Sequence, residues 1–101
     1  MGAADDLRGS AAFVSRRVIE GERPGYVERT ADRINAADTG WRLYVGDEAQ
    51  DWLDAPGNCI LQHLGHSVDA WPELREVVDA EPASGDWMWD AASRRYLPAR
   101  F

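Results

Sequence analysis

Lysine is absent from this chain, so all eleven basic side chains are arginine. Cysteine occurs once, at Cys59, which excludes an intramolecular disulfide and any zinc finger built on cysteine pairs. The opening stretch MGAADDLRGSAAF lacks a basic segment followed by an apolar run, and no window approaches the roughly eighteen apolar residues of a membrane span. Met1-Gly2 fits the start of a myristoylation signal, yet Asp6 stands where that signal requires Ser or Thr. These absences together point to a cytoplasmic protein with no membrane partner. Internal repeats, low-complexity tracts and long linkers are missing as well.

What is present describes an ordinary folded domain: 45% hydrophobic and 29% charged residues over 101 positions. A chain this small buries only about 60 to 65% of its unfolded surface, so a surface site is expected rather than a deep one. The net charge is −7. Its placement is more informative than its size. Between Asp47 and Asp90 eleven acids face a single base, Arg75, whereas the remainder holds seven acids and ten arginines. A groove that tracks phosphates needs the opposite sign, because neutralising phosphate drives such binding, so a nucleic-acid partner is disfavoured.

The densest stretch runs from Gly40 to Gly57. Trp41, Leu43 and Val45 alternate with Arg42 and Tyr44, the period of a half-buried strand. Gly46 ends the strand. Asp47 is placed to cap a short helix, with Gln50 returning the bond three residues later. Ala49, Trp52 and Leu53 fall on one side of that helix, Glu48, Asp51 and Asp54 on the remainder, and Pro56-Gly57 closes it.

Residues 1–11 read as a loose N-terminal arm and 12–101 as one domain. Ala11 to Ile19 favours a strand interrupted at Ser15-Arg16-Arg17, and Pro24 to Arg29 a second strand paired with it as a hairpin. Thr30 to Thr39 reads as loop, and Asn58 to Leu61 as a short extended segment. Pro72 suits the first turn of a helix that turns Leu74, Val77 and Val78 inward. Asp86 to Asp90 and Arg94 to Leu97 form a closing hairpin. The fold class expected is α+β: a small single domain, mainly antiparallel sheet with two short helices.

Three constellations carry conceivable chemistry. Cys59, His63 and His66 would share one face of a helix, a spacing compatible with zinc or with a thiol activated by a base. Gly57-Asn58 and Gly65 interrupt any such helix, and a buried thiol with two ordinary histidines is the plainer reading, so no metal or cofactor is expected. Asp47, Glu48 and Asp51 lack the ligand alternation of a calcium loop and have no nucleophile beside them, so a cap with a solvated acidic face suffices. Of the five tryptophans, Trp87 and Trp89 share one parity of a strand and could anchor an interface.

The chain resembles the bacterial immunity protein 33 family of polymorphic toxin systems. The likeness begins at Ala12-Phe13-Val14-Ser15-Arg16 and passes through Gly25-Tyr26-Val27-Glu28-Arg29, similar to a VGYMYRE-like strand of that family. Asp38-Thr39-Gly40-Trp41-Arg42-Leu43 is similar to its DSGWRF, Gly46-Asp47-Glu48 to its GDE, and Trp52-Leu53-Asp54 with Pro56 and Asn58 to its YLD-x-P-x-N. Neither histidine belongs to that pattern. The resemblance implies a non-enzymatic module that neutralises a cognate toxin. Its acidic middle would then dock on a basic protein surface, with Glu48, Asp51 and Asp54 steering and Trp87 or Trp89 as anchor. Gly40, Trp41, Arg42, Gly46, Asp47 and Pro56 would carry the fold signature. The alternatives are a small metal- or thiol-dependent enzyme using Cys59, His63 and His66, and a regulatory or scaffold domain with another partner.

Overall fold

A computed structural model describes residues 11–99. Of the expected N-terminal arm, residues 1–11, only Ala11 lies within the described residues, and it opens the first strand.

The strand with the most apolar alternation takes the middle of the molecule. β3 (Asp38–Tyr44) is buried at every position from Asp38 to Leu43. A strand so enclosed needs neighbours on both edges and cover on both faces. It has β1 (Ala11–Ser15) on one edge and β2 (Tyr26–Arg29) on the other, and the sheet runs β4-β1-β3-β2-β5-β6. The outer strands are β4 (Cys59–His63), β5 (Gly85–Asp90) and β6 (Arg95–Pro98). β1 and β3 are parallel, and the other neighbours are antiparallel.

Insertion of β3 between β1 and β2 corrects the hairpin expected from those two strands. The link between them is not a turn. Ser15 accepts a hydrogen bond at Oγ from the Arg17 N–H (3.3 Å) and starts helix α1 (Arg16–Ile19), so the supposed bulge at Ser15-Arg16-Arg17 is a helical turn that carries the chain off the sheet. Val18 is thereby turned into the core. The expectation of a mainly antiparallel sheet with two short helices is corrected likewise. The sheet is mixed, and four short helices accompany it among the described residues. The closing hairpin forms as expected, with Met88 opposite Leu97 and Trp89 opposite Tyr96.

Side-chain alternation divides the sheet into two unlike faces. On one, Ala12, Val14, Val27, Trp41 and Leu43 meet Val18, Val68 and Tyr96, together with Leu74 and Val77 of α4 (Leu74–Asp79). Each fully buried Leu or Val here is worth about 1.5 to 3 kcal/mol over its exposed state. Tyr96 is polar at its tip, and its hydroxyl donates to the Pro24 carbonyl (2.6 Å), so this side chain enters the core without an unmet bond.

A second helix unforeseen in the sequence is α3 (Leu64–Ala70). Gly65, expected to break it, belongs to its first turn: the His63 imidazole accepts the Gly65 N–H at Nδ1 (3.0 Å) and so acts as the cap. A Cβ at Gly65 would stand 3.0 Å from that ring nitrogen, so the small residue lets an imidazole do the work usually done by Ser or Asp.

Candidate partner-binding face

The second face of the sheet carries Phe13, Arg42, Tyr44, Tyr26, Glu28, Asp86 and Met88, the positions that alternate with the core residues. Arg42 is buried, which its outward parity did not suggest. Its Nη1 and Nη2 reach the two oxygens of Asp38 at 2.8 and 2.9 Å, a fork in which the Asp38 side chain is 0% exposed. Asp38 also accepts the N–H groups of Ile34 (2.8 Å) and Gly40 (2.7 Å), and Arg42 donates to the Asp32 carbonyl (3.2 Å). Burial by itself would raise the Asp38 carboxyl. The bonds from Arg42, Ile34 and Gly40 outweigh it and hold the group at about 2. Gly40 makes this closure possible: at φ +90° a Cβ would collide with the Thr30 carbonyl.

The turn after β3 differs from the expected capping box. Helix α2 (Gln50–Asp54) starts at Gln50 with Ala49 as its N-cap and no side-chain cap bond. Asp47 instead accepts from Arg17 (2.6 Å), which also binds Glu22 (2.7 Å). Glu48 folds back and accepts the N–H groups of Val45 (2.8 Å) and Gly46 (2.7 Å), so it is not outward as the helical spacing implied. Burial pushes the Glu48 carboxyl up, but bonds from Ser15 and from the backbone of Gly46 and Val45 bring it below its ordinary value. The side chains of the GDE segment are thus spent on closing the turn.

Asp51 and Asp54 are exposed on α2. Asp51 accepts its neighbour's Trp52 N–H (2.9 Å), and Asp54 accepts from Gln50 Nε2 (2.9 Å). Pro56 is exposed in the turn that follows, where Asn58 Nδ2 donates to the Trp52 carbonyl (2.8 Å) and steadies the end of the helix.

Between α2 and the sheet lies a groove of about 360 Å³, lined in part by Phe13, Tyr26, Glu28, Tyr44, Asp54 and Cys59. The tyrosine rings stand 6.1 Å apart at 38°. Tyr26 donates its hydroxyl to Asp86 (2.6 Å). Burial raises the Tyr26 phenol, and its bond to Asp86 adds to the rise. Burial, and then Glu28, push the Tyr44 phenol up to about 12. Glu28 is half-buried and lies opposite Arg42 on one side and Asp86 on the other. Arg42 is committed to Asp38, and Glu28 has no ion pair among the described residues. Burial first, then Asp86, raises its carboxyl, with Arg42 opposing.

The tryptophans expected at an interface are half-buried against the core. Trp87 meets Trp41 with ring centroids 5.5 Å apart, and Trp89 meets Tyr96 at 5.0 Å. The Arg23 guanidinium covers Trp89 at 3.9 Å and Trp71 at 4.8 Å while binding Glu73 (3.2 Å).

Cys59, His63 and His66 do not share a helix face. Cys59 and His63 lie at opposite ends of β4, about 13 Å apart along the strand, and His66 is on α3. Burial, then Glu48 and Asp54, push the Cys59 thiol up, which favours the inert neutral form over a thiolate. Among the described residues no group of three His, Cys, Asp or Glu could hold a metal ion.

Sequence reasoning passed over the groove residues Tyr26, Glu28 and Tyr44, and Asp86 beside them on β5. Their shared parity with Arg42 was the available signal, but pairing of β2 with both β3 and β5 was needed to bring them together. Among the described residues no helix is long and apolar enough to cross a membrane. A family model described as the immunity protein Imm33 domain matches residues 12–95. No curated protein and no solved structure matches the chain.

Proposed function

Because the chain belongs to the Imm33 immunity-protein family, we propose that it is a non-enzymatic binding module that neutralises a cognate toxin by docking its acidic surface on a basic one. The observation that carries this reading is the second face of the sheet together with helix α2 beside it. There Asp51, Asp54 and Glu28 lack ion-pair partners among the described residues, while Arg17, Arg23 and Arg42 are each tied to a carboxylate. A basic partner is therefore met by acids whose charge no ion pair among the described residues answers. Such complementarity raises encounter rates by about 10- to 1,000-fold and weakens steeply with salt.

A thiol or metal enzyme finds no support, since Cys59, His63 and His66 are dispersed and the thiol is held neutral. A cytoplasmic location accords with the single unpaired cysteine, and direct nucleic-acid binding is disfavoured by the sign of the charge. The test is to mix the protein with the product of a toxin-like gene adjacent to its own and to co-express the two. A complex at low ionic strength that loosens with salt, and rescue of growth, are expected. The absence of both complex and rescue would overturn the reading.

A further inference from the structure

The groove beneath α2 has a feature that fold stability does not require. Glu28 and Asp86 face each other directly on neighbouring antiparallel strands, where like charges repel. The natural counter-ion, Arg42, is one residue across from Glu28 on β3 but donates both ends of its fork to Asp38. Asp86 is met at one oxygen by the neutral Tyr26 hydroxyl. Glu28 is thus left half-buried on the wall of a cavity with tyrosine rings beside it and a second half-buried carboxylate, Asp86, opposite it on the next strand, and neither forms an ion pair among the described residues.

From this arrangement we infer that the groove is the receptor for one arginine side chain of the partner protein, with Glu28 as its principal acceptor. This rests on the reading of the chain as a binder of a basic protein. Arginine fits the chemistry: a planar fork suits a carboxylate, and a weakly hydrated guanidinium can lie against a tyrosine ring. The groove, at about 360 Å³, has room for a side chain and its stem. Asp54 at the rim adds charge, and Met88 at 50% and Leu97 at 38% exposure extend the same face as an apolar border that a partner can cover. Desolvation under a docked partner would strengthen the pair, as at the centre of an interface.

Two measurements separate this inference from the reading on which it rests. In the first, the protein alone is titrated with Nα-acetyl-arginine amide and followed by backbone amide NMR, with the uncharged citrulline analogue as control. Saturable shifts centred on Tyr26, Glu28 and Tyr44 are expected, with half-saturation on the order of 10 mM. The citrulline analogue and the variant Glu28→Gln should give none. Shifts that do not saturate, that appear equally with citrulline or that survive in Glu28→Gln would overturn the groove assignment. In the second, Glu28→Gln and Asp51→Asn are compared for affinity to the adjacent toxin. Glu28→Gln should lose about 10- to 100-fold and Asp51→Asn less than about threefold. If the wild type binds the toxin and Glu28→Gln binds equally well, the groove assignment fails and the immunity reading stands. If the wild type does not bind, the immunity reading fails, and the arginine titration decides the groove by itself. Folding is not a confounder, because removing one of two opposed charges should raise the Tm of Glu28→Gln.

Discussion

The two faces of the sheet are built from the same alternating strands and have opposite characters. Under the helices, the polar tips of Tyr96 and Arg29 are answered: Tyr96 finds the Pro24 carbonyl, and Arg29 donates to the carbonyls of Thr39 (3.1 Å) and Pro82 (2.9 Å). On the open face two carboxylates at neighbouring positions are treated differently. Asp38 receives a fork and two N–H groups, whereas Glu28 is half-buried without an ion pair among the described residues. For these two carboxylates, satisfaction marks the one that holds the molecule together, and its absence marks the one free to meet something else.

That contrast can be broken most severely at Arg42. Arg42→Met should strip Asp38 of its fork and leave a buried charge, at a cost of about 3 to 5 kcal/mol, readable as a fall in the denaturation midpoint by urea titration. Adding Asp38→Asn should recover part of the loss, because the charge disappears while one of the two N–H groups, of Ile34 or Gly40, still finds an oxygen. A single substitution at Arg42 without effect would show that the pair is not structural.

Next in size is acid sensitivity. Asp38 is held at about 2 in the fold against an ordinary 3.8, so its contribution is complete above pH 4 and is lost as pH falls toward 2. Its share is about 2 kcal/mol, and a matched titration of stability in Arg42→Met should show that this share of the slope is gone.

Glu48→Gln should cost about 1 to 2 kcal/mol, since the amide can accept only one of the two bonds from Val45 and Gly46. Thermal unfolding would show a Tm drop of roughly 5 to 10 °C. The smallest effect has the opposite sign. Glu28 is raised rather than lowered, so its charged form destabilises the fold at neutral pH, and the penalty vanishes as pH falls through its folded value. Glu28→Gln should therefore stabilise by a fraction of 1 kcal/mol at pH 7 and lose that advantage in acid. Equal destabilisation by Glu28→Gln and Glu48→Gln would erase the distinction between a working carboxylate and a structural one.

Much of the covered face was legible beforehand. Trp41 and Leu43 announced the core by alternation, Leu74 and Val77 by helical spacing, and the closing hairpin by its turn. Local signals misled where a side chain had a distant partner. Asp47 had every feature of a cap, but Arg17, thirty positions away, took it. Gly65 had every feature of a breaker until His63 capped its N–H. The open face was legible only as a list of polar positions.

Sequence alone determined which residues turn inward, because apolar periodicity is a property of consecutive positions and needs no knowledge of neighbours. It also determined the excess of acid between Asp47 and Asp90 and the match to the Imm33 family over residues 12–95. Only the tertiary structure decided which acids are committed and which are available. That choice depends on strand order: with β3 seated between β1 and β2, Arg42 is within reach of both Asp38 and Glu28, and bidentate geometry with two backbone donors favours Asp38. A charge follows the nearest good geometry in space, and spacing along the chain does not encode it.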